Sequence, residues 1–121
     1  MENGYKGLIV WKRAIELVKE IYCLVKLLPK EETYALSDQM RRAAVSIPSN
    51  IAEGYARKTT KEYLNFLSIA MGSNAELETQ IILCEELELI DKEKLERAKE
   101  LVTEIRRMLL TIQHKLSSPQ S

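Results

Sequence analysis

Residues 91–116, DKEKLERAKELVTEIRRMLLTIQHKL, decide the fold. Leu95, Ala98, Val102, Ile105, Leu109, Ile112 and Leu116 step by 3, 4, 3, 4, 3 and 4 residues. That period draws one apolar seam along a helix that packs at a shallow angle against its neighbours in a bundle. Asp91 is the expected cap at its start. Before it, Thr59 and Glu62 have capping-box spacing, in which hydroxyl and carboxylate each serve an amide of a helix's first turn. They open a helix expected to reach about Glu88. Phe66, Ala70, Leu77, Ile81 and Cys84 share its main face, widened by Leu64, Leu67, Met71 and Ile82.

Further toward the N-terminus, a helix is expected from near Ser37, whose hydroxyl suits a cap, to about Lys58. Met40, Ala44, Ile47, Ile51 and Tyr55 form its stripe. Pro48 falls inside it, removing one backbone hydrogen bond and crowding the preceding turn, which predicts a single helix kinked there. The first helix, from about Val10 to Leu28, sets Trp11, Ile15, Val18, Tyr22, Val25 and Leu28 on one face and stops at Pro29. The third and fourth helices would each span about 40 Å. Short connections between long helices predict antiparallel neighbours: an all-α, up-down-up-down four-helix bundle. One domain covers residues 1–121, with a core over about 8–116 and flexible termini, including the tail SerSerProGlnSer.

Composition agrees with this reading and narrows the function classes. The 121 residues are 45% hydrophobic, 30% charged and 6% aromatic, as in a globular rather than a disordered chain. No stretch approaches the roughly 18 apolar residues of a membrane span, so no membrane partner is expected. The start MENGYKG lacks the pattern of a signal peptide, which predicts a cytoplasmic protein. Cys23 and Cys84 sit in apolar periodic stretches and read as two buried, reduced thiols. With His114 as the only histidine, no metal site and no cofactor is expected.

Formal net charge is zero, yet its distribution is uneven. From Leu36 to Lys61, Arg41, Arg42, Arg57, Lys58 and Lys61 oppose Asp38 and Glu53. From Asn74 to Glu100, nine acids oppose four bases. A local basic patch is therefore open where a uniform electrostatic partner is not. Arginine grips phosphate through two parallel hydrogen bonds, so those five cations are candidate nucleic-acid contacts, with Arg106, Arg107 and Lys115, beside His114, as a second group. A solvated basic face is the competing reading. No nucleotide loop, nucleophile elbow or paired metal-ligand motif occurs, so no catalytic residue is assigned and the chain reads as a non-enzyme.

The second helix is apolar or small around most of its circumference: Ala43, Ala44, Val45, Ile47, Pro48, Ile51, Ala52, Tyr55 and Ala56. One bundle uses about one apolar face per helix, so the surplus predicts self-association. Ala44, Ser46, Pro48, Asn50, Glu53, Gly54 and Gly72 are the candidate packing and oligomer residues. Folding the second helix onto the third places Ser46 opposite Met71 and Gly72. Gly54 and Gly72 there permit either close backbone approach or approach of a ligand. Arg42, Ser46, Ser49, Glu53 and Arg57 fall along one stripe, either an anion pocket or an ion-pair and capping network.

Two strings then carry identity. SerAspGlnMetArgArgAlaAla followed by SerIleProSerAsnIleAlaGluGly, over residues 37–54, resembles the signature of the 23S rRNA-intervening-sequence proteins, also called four-helix-bundle proteins. Trp11 and Ala14 resemble that family's N-terminal landmark, and PheLeuSerIleAlaMetGlySerAsnAlaGluLeuGlu from Phe66 resembles its second block. The likeness runs from about Tyr5 to Leu116. It implies a small cytoplasmic bacterial protein whose subunits assemble into a pentamer. It further implies kinship with accessory subunits of the reverse transcriptases of diversity-generating retroelements, hence RNA or a nucleic-acid enzyme as partner. The family name records where such reading frames lie, within 23S rRNA genes, and not an activity.

Overall fold

A computed structural model describes residues 4–117. A 3₁₀ turn at Gly4–Gly7 leads into α1 (Ile9–Val25), then α2 (Asp38–Tyr55), α3 (Thr60–Glu86) and α4 (Lys92–Ser117), with no strand among the described residues. Contacts between neighbours are graded along the helices. Met40 meets Cys84, Ser46 meets Ser73 and Gly54 meets Phe66, so residue numbers rise along α2 as they fall along α3. Glu78 pairs with Arg106 and Ser68 with Gln113 across α3 and α4, and Arg13 and Glu16 pair with Glu104 and Arg97 across α1 and α4. The helices enclose one core, whose largest fully buried side chains include Leu17, Ile21, Met40, Ile47, Ile51, Leu67, Leu77, Ile81, Leu101 and Ile105. Burying each stabilises the fold by about 1.5–3 kcal/mol before chain entropy is counted.

The seam of α4 packs as its period requires: Leu95, Ala98, Val102, Ile105 and Leu109 are buried, and Ile112 and Leu116 pack half-buried at its end. The first helix differs from the sequence reading. It ends at Val25, and its core face is Val10, Ala14, Leu17, Ile21 and Leu24, while Trp11, Ile15 and Val18 are half-buried and Tyr22 is exposed. α1 carries two apolar stripes side by side, and period alone does not say which one faces inward. Cys23 is exposed on this helix rather than buried.

Two of the expected caps also differ. Ser37 is 4% exposed and caps nothing, because a π-helical turn at Thr33–Ser37 runs straight into α2 with Ser37 already in helical conformation. Thr59 does cap α3, accepting from the Glu62 amide at 3.1 Å, but the Glu62 carboxylate accepts from the Thr59 hydroxyl at 3.0 Å instead of reaching back to an amide. α3 stops at Glu86. Past it the Glu88 amide donates to the Glu85 carbonyl and the Leu89 amide to the Cys84 carbonyl, a Schellman closure with Glu88 in the left-handed region at φ 56°. α2 runs as one helix through Pro48. The last four residues of the SerSerProGlnSer tail lie outside the described residues.

Candidate functional site

The turn from α2 to α3 is the most elaborated end of the bundle. Gly54, in the last turn of α2, is buried against α3. A Cβ there would lie 2.6 Å from the Phe66 Cβ and 3.0 Å from Tyr63 Cδ1, so only glycine lets the helices approach this closely. Tyr55 meets Tyr63 edge-on at 5.8 Å, and Tyr5 meets Trp11 at 5.3 Å. Burial, and secondarily Tyr55, raises the Tyr63 phenol above its ordinary value. Arg57 accepts two restraints: a 2.8 Å ion pair with Glu53 and a position 4.8 Å over the Phe66 ring. A cation over an aromatic face is worth about 0.5–1 kcal/mol at an exposed site. Lys58 and Lys61 are exposed beside it, with no ion pair among the described residues. The end of α4 reaches the same level, where Gln113 donates to Ser68 at 3.4 Å, bringing exposed Lys115 to this end. Five of the seven aromatic residues, Tyr5, Trp11, Tyr55, Tyr63 and Phe66, therefore gather near the cations of one end.

The five cations grouped from sequence are thus divided. Arg41 and Arg42 begin α2, about 24 Å along the helix from Arg57 at 1.5 Å per residue. Arg42 pairs with Asp38 at 3.1 Å rather than with Glu53, and Arg41 lies half-buried beside Tyr22 and Val45. Of the second group, Arg106 is held by Glu78 at 3.3 Å, whereas Arg107 is exposed at the mouth of an apolar cleft lined by Leu8, Ile9, Met108 and Ile112. The acid-rich segment, Asn74 to Glu100, runs over the second half of α3 and the first turns of α4, toward the end that also carries Arg41 and Arg42.

The string SerIleProSerAsn distributes its work around α2. Ser46 bonds Ser73 of α3 at 2.7 Å, one position beyond the expected Gly72 level. Asn50 donates to both the Ser46 carbonyl and its hydroxyl, at 2.8 and 2.9 Å. Ile47 and Ala44 are fully buried, and Pro48 turns toward Trp11 of α1. Gly72 behaves unlike Gly54: a Cβ there would meet nothing within 4 Å, so packing within the bundle does not need glycine at that position. The sequence reading also passed over Asn74 and Gln80, polar but buried on α3. Asn74 donates to the Val102 carbonyl at 2.9 Å while its own side-chain oxygen has no protein partner. An apolar-stripe search skips such positions because only their register with Leu77 and Ile81 marks them.

Elsewhere the ionisable groups serve the frame. Arg97, chiefly, holds the Glu16 carboxyl below its ordinary range, and Lys99 does the same for Glu85. Burial pushes the Cys84 thiol up to about 11, with Glu32 adding to the shift. No helix of the described residues is long and apolar enough to cross a membrane, and no group of three or more metal-ligating side chains comes together among them.

The architecture defines a class first: a four-helix bundle with a basic, aromatic-rich end. The sequence model of the 23S rRNA-intervening sequence protein family matches residues 6–111, and the chain belongs to that family. Among solved structures it is similar to a protein of unknown function from the S23 ribosomal protein family of Bacteroides thetaiotaomicron VPI-5482. That likeness has a TM-score of 0.80 and 29% identity, covering 87% of this chain and 98% of the other. No curated protein matches the chain.

Proposed function

We propose that the protein is a non-enzymatic, self-assembling cytoplasmic bundle that acts as an RNA- or ribonucleoprotein-associated adaptor. The observation that carries this reading is the convergence of Arg57, Lys58, Lys61 and Lys115 with Tyr55 and Tyr63 at one end. Backbone phosphates are held by exposed cations, and unpaired bases stack on aromatic rings, so the arrangement suits single-stranded RNA better than duplex. Assembly into a ring, the pentamer implied by the resemblance, repeats a modest patch several times and gains avidity without any new contact. Service as an accessory subunit of a reverse transcriptase is the protein-scaffold version of the same role.

The test is fluorescence anisotropy with a labelled single-stranded RNA across a salt series. Replacing Lys58 and Lys61 by Ala should weaken binding evenly across sequences and flatten the salt slope by about 0.7 per lost phosphate contact. No binding by the parent, or an unchanged slope in the double variant, overturns the RNA role and leaves the scaffold.

A further inference from the structure

We propose that the outer face of α3 in one copy of this chain seats in the groove between α1 and α2 of the next copy. The contact is head-to-tail and joins two different faces. It rests on the self-assembly reading above and adds which surfaces meet.

α3 spreads its apolar residues around the helix and carries few charges on its outer face, whereas a surface helix shows one apolar stripe and a charged back. Away from the core it exposes Ile69, Gly72, Ala75, Thr79, Ile82 and Leu83. Between Tyr63 and Cys84 its only charges are Glu76 and Glu78, and Glu78 is already held by Arg106. Gly72 sharpens the point. Glycine in the middle of a helix is unfavourable, and nothing within the subunit lies near enough to require it. A surface approaching from outside does.

The opposite partner is the second stripe of α1. Trp11, Ile15 and Val18 face Val45, Pro48 and Ala52 of α2 across an apolar groove of about 310 Å³. Lys12, Lys19 and Lys26 are exposed one position along from Trp11, Val18 and Val25, so they edge the α1 side. Arg41 and Arg42 extend the α2 side, with Asp38 as the sole acid among the residues lining that stretch. The groove is therefore apolar with a basic rim, and the α3 face is small, apolar and free of cations. The two complement each other in charge, and the groove does not complement itself. Groove against groove would set Lys12, Lys19, Lys26 and Arg41 against their own copies, which disfavours an isologous pairing through that face. Arg41 and Arg42 thereby belong to the subunit contact rather than to RNA.

The experiment uses light scattering on the full chain and two variants, both at positions exposed within the subunit. Gly72→Arg fills the open space on α3 and sets a cation against the basic rim. Val45→Glu places a carboxylate in the apolar groove, with Tyr22→Glu as the substitute if it does not fold; circular dichroism checks helicity. The parent should scatter as an assembly and each variant as a 13.9 kDa monomer. Mixing the two should restore a one-to-one dimer and nothing larger, because one intact groove meets one intact α3 face. An assembled parent whose mass survives either substitution, or monomeric variants that do not pair on mixing, overturns the assignment of faces while self-assembly stands. A monomeric parent overturns both and leaves the faces to a foreign protein.

Discussion

The same substitution should have opposite effects at two glycines of this bundle. Gly54→Ala introduces a methyl group 2.6 Å from the Phe66 Cβ and 3.3 Å from the Tyr63 carbonyl oxygen. Both atoms are anchored to α3, so relief requires the helices to move apart, not a side chain to swing. Overpacking of this kind costs about 1–3 kcal/mol. Alanine's better helix propensity returns at most about 1 kcal/mol, for a net loss of about 1–2 kcal/mol. At about 4 °C per kcal/mol for a chain of this size, Tm falls by roughly 4–8 °C. Gly72→Ala meets nothing within 4 Å, so only the propensity gain remains, and the single chain gains about 0.5–1 kcal/mol. Urea and thermal unfolding followed by circular dichroism measure both. A dilution series separates these shifts from the concentration-dependent term that self-association would add. If Gly54→Ala is as stable as the parent, or both variants shift the same way in the dilute limit, the reasoning about close approach fails.

Acid should weaken the α1–α4 and α3–α4 contacts in a defined order of cause. The Glu16 and Glu85 carboxyls titrate below the ordinary 4.5, so their stabilisation is present above that value and is lost as pH falls through the lowered folded-state values. Glu16→Gln and Glu85→Gln should therefore unfold more easily than the parent at pH 7 and converge with it in urea titrations once pH has fallen through the lowered folded-state values, below 4.5; a constant gap would refute the ion-pair origin. The two cysteines should separate by reactivity. An alkylating reagent at neutral pH modifies exposed Cys23 alone, because burial keeps the Cys84 thiol protonated and inaccessible until urea opens the core, and mass spectrometry before and after denaturation reads the difference.

Much of the bundle was legible because helix formation is written in short-range spacing. The seven-residue seam of α4, the Thr59 cap and Pro29 each act over one or two turns, and each marks an element the structure contains. Family membership was legible for a different reason, since residues 37–54 and 66–78 are specific strings whose roles at Ser46, Asn50 and Gly54 are concrete contacts. The caps show the limit of local reading: Ser37 has the right chemistry in the wrong backbone conformation, because the π-helical turn leaves no free helix start for it to serve.

The sequence by itself determined four helices, their approximate bounds and the family. Only the tertiary structure decided which faces do what. α1 has two apolar stripes of equal periodicity, and packing against α4 and α2 chose Leu17 and Ile21 for the core and left Trp11 and Ile15 to a groove. Arg41, Arg42, Arg57, Lys58 and Lys61 are near neighbours in sequence, but α2 is a rigid rod that carries the first two away from the rest. Lys115, remote in sequence, arrives at the basic end because the close of α4 lies beside the start of α3. Gly54 and Gly72 are the same residue type, one against a wall of α3 and one facing open space. Periodicity fixes where a side chain sits around its own helix axis, and only the packing of one helix against another decides what that direction meets.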